Sequence, residues 1–206
     1  MTSWYERKIL PHLIDSACSQ PPMTKLRAQY VSQAKGKVLE IGIGSGLNLA
    51  HYSNAVESIT GVDPAEELTA KARDRADAIS ASVDVIGVSG ESIPVSSESF
   101  DSVVCTWTLC SIPEPEAAVA EMFRALKPGG QLIFVEHGRS DEAHIQKWQR
   151  RIEPLWKVIG GGCHLTRRAD DLIRGGGFEI EHFSSGYEPG PKIAAFMMHG
   201  LATRNP

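Results

Sequence analysis

The sequence predicts an α/β fold: a doubly wound, seven-stranded, mostly parallel sheet, with helices on both faces and a final antiparallel hairpin. Three observations carry this. From about residue 35 onward, short apolar runs alternate with segments of helical period, the pattern of a parallel sheet covered on both sides. Residues 100–105 form a continuous apolar run, as a strand buried on both faces does. The first run, Val38-Leu39-Glu40-Ile41, passes straight into Gly42-Ile43-Gly44-Ser45-Gly46, a glycine turn of the kind found at a strand end where the backbone must approach a ligand closely.

Taken in order, residues 1–34 look helical in pieces, with Ile9, Leu13 and Ala17 on one face, and are expected to fold over the core. Residues 37–41 are the first strand, and a helix is expected from Gly46 past Leu49 and Ala50. Residues 58–62 are the second strand. Pro64 and Glu66 then open a helix whose Leu68, Ala72 and Ala76 recur every four residues. Residues 83–88 alternate as a third strand and 100–105 form the fourth. Pro113 and Pro115 lead into a helix with Val119, Met122, Phe123 and Leu126 at i, i+3, i+4 and i+7, ended by Lys127-Pro128-Gly129-Gly130. Residues 131–135 are the fifth strand. A helix around 145–159 precedes the loop Gly160-Gly161-Gly162-Cys163-His164, and residues 178–183 and 193–201 supply the closing hairpin.

Composition narrows the function classes. A chain of 206 residues, 42% hydrophobic, suits one domain with a sizeable core. A net charge of −4 gives no general attraction to nucleic acid. Glu6, Arg7, Lys8 and Pro11 interrupt any signal peptide, and no apolar run reaches the ~18 residues of a membrane span. The four cysteines form no C-x-x-C pair and no zinc-finger spacing, so no metal site is read and reduced thiols in a cytoplasmic protein are expected.

Ligands of open α/β sheets bind beyond the carboxyl ends of the strands. That rule gathers Gly42 to Gly46, Asp63, Gly90-Glu91-Ser92, Thr106-Trp107 and Glu136-His137-Gly138 into one place. Asp63 suits the vicinal hydroxyls of a ribose, because a carboxylate accepts two hydrogen bonds in a fork; it also suits a helix cap before Pro64 and Glu66. Glu91 reads as an acceptor for an exocyclic amine or as a solvated loop residue. Ser92 offers its backbone N–H to a ring. Glu40, on a buried strand, needs a partner. The turn departs from the dinucleotide pattern G-x-G-x-x-G at Leu47, which points away from NAD and towards S-adenosylmethionine.

Together these segments resemble the class I S-adenosylmethionine-dependent methyltransferases, of Rossmann-like fold, over about residues 35–183. Val38 to Gly46, Gly61-Val62-Asp63-Pro64, Gly90-Glu91-Ser92-Ile93-Pro94 with Ser99 to Val104, and Arg124 to Gly130 carry the resemblance. Within that class, the type 11 group, Val103 to Ser111, Glu136-His137, Pro154-Leu155-Trp156 and Gly162 to Arg167 are similar to the methyltransferase-like 7 family of thiol S-methyltransferases. That family's apolar N-terminal anchor has no counterpart in this sequence. The resemblance implies S-adenosylmethionine held by Glu40, Gly42, Gly44, Ser45, Gly46, Asn48, Asp63, Pro64, Gly90, Glu91, Ser92, Cys105 and Thr106.

It also implies a single domain. Residues 1–34 cover the site, 35–138 form the cofactor-binding core, and 139–206 supply the acceptor-side insertion and last strands. The methyl acceptor is a small molecule, a thiol first, with quinone or phospholipid as alternatives. His164 and His137 are candidate bases or substrate contacts, although a lone histidine also serves structure. Trp107, Trp156, Cys163 and Arg167 are candidate acceptor-side residues, and both tryptophans equally suit core packing. Trp4 and Tyr5 are expected to help close the site. Two other classes share these features: a nicotinamide-dependent oxidoreductase and a non-catalytic S-adenosylmethionine-binding module.

Overall fold

The strand order β3-β2-β1-β4-β5-β7-β6 organises the computed structural model, which describes residues 8–205. Strands β1 (Gly36–Ile41), β2 (Val56–Val62), β3 (Ser82–Ile86), β4 (Phe100–Thr106) and β5 (Leu126–His137) run parallel. β7 (Phe196–Thr203) returns antiparallel to β5, and β6 (Glu179–Tyr187) pairs antiparallel to β7 at the sheet edge. The order reverses at β1, which lies between β2 and β4. The register sets Ile41 beside Val62 and Cys105, so the carboxyl ends of the three strands are level. A crevice at that reversal is where this architecture holds ligands.

Helices α1 (Leu10–Cys18), α2 (Pro21–Tyr30), α3 (Glu66–Ala76), α4 (Pro115–Ala125), α5 (Ala143–Ile159) and α6 (Ala169–Gly175) complete the chain. Successive residues of a strand point to opposite faces, and the two cores follow that rule. Leu39, Ile41, Val103, Cys105, Leu132 and Phe134 pack against Ala118, Val119 and Met122 of α4 and Ile173 of α6. Val38, Val104, Ile133 and Val135 face the other way, towards Leu26 and Tyr30 of α2 and Ala72 of α3. Each fully buried aliphatic or aromatic side chain of this kind contributes roughly 1.5–3 kcal/mol.

Six elements differ from expectation. No α-helix follows the glycine turn; the chain makes a single 3₁₀ turn at Leu49–His51. Gly46 is left-handed at φ 78°, and Asn48 and Tyr52 turn inward to the Glu40 carboxylate, leaving only Leu49 buried in that turn. In α1 the buried residues are Leu10 and Pro11, whereas Ile9 and Leu13 are exposed. The loop at Lys127 to Gly130 does follow α4, but β5 already pairs at Leu126, opposite Phe100, and the residues between are absorbed as a bulge before Gln131 meets Ser102. α6 lies where no helix is expected, its seven residues being too few to show a period. β7 begins at Phe196, because Pro191 to Ala194 form a turn, and β6 runs on to Tyr187. Trp4 and Tyr5 lie outside the described residues.

Candidate active site

A cavity of about 820 Å³ opens beyond the level ends of β1, β2 and β4. That volume lies within the roughly 300–1,000 Å³ of small-molecule sites. Gly42, Gly44, Ser45 and Asn48 line it from the glycine turn, Asp63 and Pro64 from the end of β2, and Gly90 from beyond β3. Thr106 and Trp107 line it after β4 and His137 after β5. Ile14 and Cys18 of α1 and Met23 and Arg27 of α2 wall one side, and Trp156, Gly161 and Cys163 reach it from the end of α5. Glu40, Gly46, Glu91, Ser92, Cys105, His164 and Arg167 do not line it.

The glycine turn is shaped from beneath. Gly42 and Gly44 are left-handed, at φ 70° and 54°. The N–H groups of Gly42 and Ile43 both donate to the Val62 carbonyl, at 2.8 and 3.1 Å. A Cβ on Gly42 would stand 2.0 Å from Thr108 Oγ1, so only glycine fits. Asp63 accepts the Gly44 N–H at 3.0 Å and the Ala65 N–H at 2.8 Å. It thus ties the turn to the start of α3 while keeping its place on the cavity wall. Burial pushes its carboxyl up, against those two amides.

Glu40 lies beneath the turn. Its carboxylate accepts Asn48 Nδ2–H at 2.8 Å and the Tyr52 hydroxyl at 2.7 Å. Asn48 Nδ2 also donates to Thr106 Oγ1 at 2.9 Å, and its Oδ1 accepts Arg27 Nε–H at 2.9 Å. Burial pushes the Glu40 carboxyl up to about 7, with Tyr52, Asn48 and Arg27 acting against it. The Arg27 guanidinium, itself buried, lies 4.4 Å over the Trp107 ring. A cation desolvated against an indole face is worth about 2 kcal/mol. Trp107 is held at φ 51°, its amide bonded to the Val135 carbonyl at 2.8 Å.

Other predicted residues serve the loops. Glu91 accepts the Glu114 N–H at 2.8 Å at the head of α4 and the Ser89 hydroxyl; the Ser92 amide turns back to Ser89. Arg167 donates to the Leu109 and Ile112 carbonyls at 2.6 and 2.7 Å, so its guanidinium braces the loop after β4. His164 faces Glu153 at 3.4 Å, and desolvation, then Arg167 and Lys157, hold its imidazole below the usual range. Its backbone N–H donates to the Cys110 carbonyl at 2.7 Å. Cys105 is fully buried, 3.5 Å from Glu136. His137 Nδ1 lies 3.3 Å from Cys163 Sγ. The neighbouring Cys110 thiol holds Cys163 below the usual thiol range despite burial, while the same contact and burial push Cys110 up.

Residues 39–134 match the family described as a methyltransferase domain. The match runs from β1 into β5 and takes in 96 of the 206 residues. Thiol S-methyltransferase TMT1B of Rattus norvegicus is 37% identical over 134 residues, 63% of this chain and 54% of the relative. Phosphatidylethanolamine N-methyltransferase of Cereibacter sphaeroides is 33% identical, over 65% of this chain and 66% of that protein. The match thus spans about half the length of the first relative. A geranyl diphosphate methyltransferase solved with S-adenosylmethionine superposes with a TM-score of 0.69 at 12% identity, covering 94% of this chain and 86% of that one. This likeness speaks to the fold.

The cavity suits S-adenosylmethionine on its own geometry. Its turn has no Cβ at Gly42 and Gly44, a carboxylate stands at the second strand end, and the Trp107 and Trp156 indole N–H groups are buried without a protein partner. Two residues of the site escape the sequence reading. Arg27 follows Met23 by four residues on the buried stripe of α2, where an arginine needs a partner. Asp15 of α1 accepts the Ser45 hydroxyl and faces Arg75 and Lys71. Glu136, gathered with the other strand ends but given no role there, ends a buried apolar strand just as Glu40 does. Its carboxylate accepts the N–H groups of Thr108, Leu109 and Cys110 at 2.9, 3.0 and 3.2 Å. No helix of the described residues is long and apolar enough to cross a membrane.

Proposed function

We propose that the chain methylates a small-molecule thiol with S-adenosylmethionine. One observation carries this reading. The cavity that begins at the glycine turn and Asp63 continues unbroken to His137, Trp156 and Cys163, so cofactor and acceptor share one chamber, and among the described residues its acidic lining is confined to Asp15 and Asp63. Glu136 and Glu153 are engaged with backbone or neighbouring groups. A hydroxyl or ring-carbon acceptor would need a base at the reacting end, whereas a thiol is already partly ionised at neutral pH. The similarity to thiol S-methyltransferases supports the same choice.

Bound S-adenosylmethionine supplies an activated methyl group. The chain's residues position and exclude. Gly42 and Gly44 let the backbone approach, and Asp63 offers oxygens to ribose hydroxyls. Met23, Trp107, Trp156 and Met197 keep water from the reacting atoms. His137 Nε2, buried without a partner, is placed to hydrogen-bond an acceptor or hold its proton. Good positioning alone contributes roughly 7–11 kcal/mol to such a transfer. In this reading residues 1–34 cover the site, 35–138 hold the cofactor and 139–206 shape the acceptor end of one domain. The four free cysteines suit a cytoplasmic enzyme.

The deciding assay measures S-adenosylhomocysteine release against acceptors grouped by nucleophile. Turnover is expected with apolar thiols. Turnover confined to phenols, quinols or lipid amines would overturn the thiol assignment.

A further inference from the structure

Cys110, His137 and Cys163 come from three distant segments: the loop after β4, the end of β5 and the turn after α5. Their ligating atoms nevertheless lie within 4.8 Å of one another, and all three residues line the cavity. We propose that these three side chains bind one divalent cation of borderline softness, zinc by preference, with its fourth position open to the cavity.

The donor set argues for this chemistry. Two thiolates and an imidazole are ligands that zinc favours, and three protein ligands with an open position distinguish a reactive site from a closed structural one. Metal–sulfur and metal–nitrogen lengths of about 2.3 and 2.0 Å place a tetrahedral nitrogen and sulfur roughly 3.5 Å apart and two sulfurs roughly 3.8 Å apart. The His137 Nδ1 to Cys163 Sγ separation is 3.3 Å, so the pocket is already drawn together. No fourth histidine, cysteine or carboxylate joins the group among the described residues. Glu136, the nearest acid in sequence, spends its oxygens on the Thr108, Leu109 and Cys110 amides.

The surrounding backbone holds the ligands in place. Glu136 fixes the loop at the Cys110 amide. Gly161 and Gly162 are left-handed at φ 62° and 86°, which turns the chain after α5 back towards the β4 loop. The Cys163 amide closes on the Gly160 carbonyl at 3.2 Å, and the next residue, His164, bonds the Cys110 carbonyl. His137 is 6% exposed, and its Nε2 has no protein partner, so the ring has no competing hydrogen bond at that atom.

The open position would take an exogenous thiolate, a step that rests on the thiol assignment above. Coordination releases the thiol proton to solvent and leaves the sulfur ionised and directed into the chamber.

The test uses the reduced, metal-free full chain and cobalt(II) as the probe. One equivalent should give thiolate-to-cobalt charge-transfer absorption and the visible bands of a tetrahedral centre, both abolished by zinc. Cys110→Ser and Cys163→Ser should each weaken binding by roughly tenfold or more and diminish the charge-transfer band. His137→Gln should weaken binding and leave that band in place. If a serine variant fails to fold, the unmodified chain gives the same reading through alkylation and mass spectrometry. Zinc should protect Cys110 and Cys163 and leave Cys18 reactive. Absence of the cobalt–thiolate band, its survival in both serine variants, or lack of protection by zinc would overturn the site. A small thiol added to the cobalt form should strengthen the charge-transfer band; an unchanged spectrum would overturn the open position. A cobalt signal without turnover on any thiol would sink the acceptor assignment alone, and thiol turnover without a cobalt signal would sink the metal site alone.

Discussion

Glu136 Oε1 accepts the Thr108 backbone N–H at 2.9 Å, so a carboxylate at the end of β5 sets the shape of the loop that follows β4. That loop carries Trp107, Thr108 and Cys110, all on the cavity wall. The same carboxylate takes the Leu109 and Cys110 amides. Glutamine offers one acceptor oxygen and an NH₂ group in its place. Glu136→Gln therefore leaves at least one buried N–H facing a donor, at a cost of about 1–3 kcal/mol. Urea denaturation should show a lower midpoint with an unchanged slope. A variant as stable as the parent would refute this role.

Glu40 and Glu136 make stability depend on pH. Burial raises both carboxyls to about 7 from 4.5. Between these values the folded chain binds more protons at these sites than the unfolded chain does. Their contribution is therefore present at low pH, is lost as pH rises from about 4.5 to 7, and is flat above that range. His51, His164 and His199, all held below the usual imidazole range by burial, act in the opposite sense near neutrality. The clean measurement is a difference. Relative to Glu40→Gln/Glu136→Gln, the parent should lose stability steadily over that interval. A difference independent of pH would refute the assignment.

Gly42 and Gly44 separate packing from ligand approach. Alanine at Gly42 drives a Cβ into Thr108 as well as forcing a left-handed residue, and should destabilise the chain by about 2–4 kcal/mol. Alanine at Gly44 meets no atom closer than the Gly42 carbonyl at 3.9 Å. It should cost only the strain of φ 54°, about 1 kcal/mol. Its methyl group nonetheless stands at the cavity wall, and calorimetry should show S-adenosylhomocysteine binding weakened at least tenfold, about 1.4 kcal/mol. Unchanged affinity in Gly44→Ala would remove the turn from the cofactor site.

Much of this arrangement was legible because local chemistry dictates it. Glycines at a strand end and a period of four in α3 leave few alternatives. Asp63 reads as ribose ligand or cap from its position alone; its carboxylate bonds the Gly44 and Ala65 amides, and the N-cap of α3 is Ala65, which receives no side-chain cap. What escaped depends on contacts distant in sequence. Arg27 meets Asn48 and Trp107, Asp15 meets Ser45, and Arg167 meets Leu109 and Ile112. Cys110, His137 and Cys163 have no motif spacing, so short spacings single out His137 and Cys163 separately and do not join them to Cys110. The helix expected after Gly46 failed because two polar side chains of that segment, Asn48 and Tyr52, are drawn into the Glu40 network.

Asp63→Asn should discriminate the two readings of that residue. An amide keeps one acceptor oxygen, so one of the Gly44 and Ala65 bonds survives and stability falls by about 1 kcal/mol. A ribose ligand loses more, because hydrogen bonds to a charged group contribute about 1.5–3 kcal/mol. S-adenosylhomocysteine affinity should fall roughly 10–100-fold. A loss of stability with no loss of affinity would leave Asp63 only as the tie between the glycine turn and α3.

Asp15 latches the N-terminal helix to the glycine turn. Its carboxylate accepts the Ser45 hydroxyl and stands 3.3 Å from Arg75 and 3.4 Å from Lys71. Burial works upward on this carboxyl, and Ser45, Arg75 and Lys71 outweigh it, holding it below the usual range. The latch is therefore complete above the ordinary carboxylate pKa and lost as pH falls through the lowered folded value. The ion-pair partners are about a third exposed, so solvent screens them, and Asp15→Asn should change global stability by about 1 kcal/mol or less. Its effect should fall on α1, whose Ile14 and Cys18 wall the cavity. Hydrogen–deuterium exchange over residues 10–18 should quicken while the sheet is unchanged, and S-adenosylhomocysteine should dissociate faster. If exchange in α1 and the dissociation rate both match the parent, the helix is held by its apolar contacts and the latch has no part in closing the site.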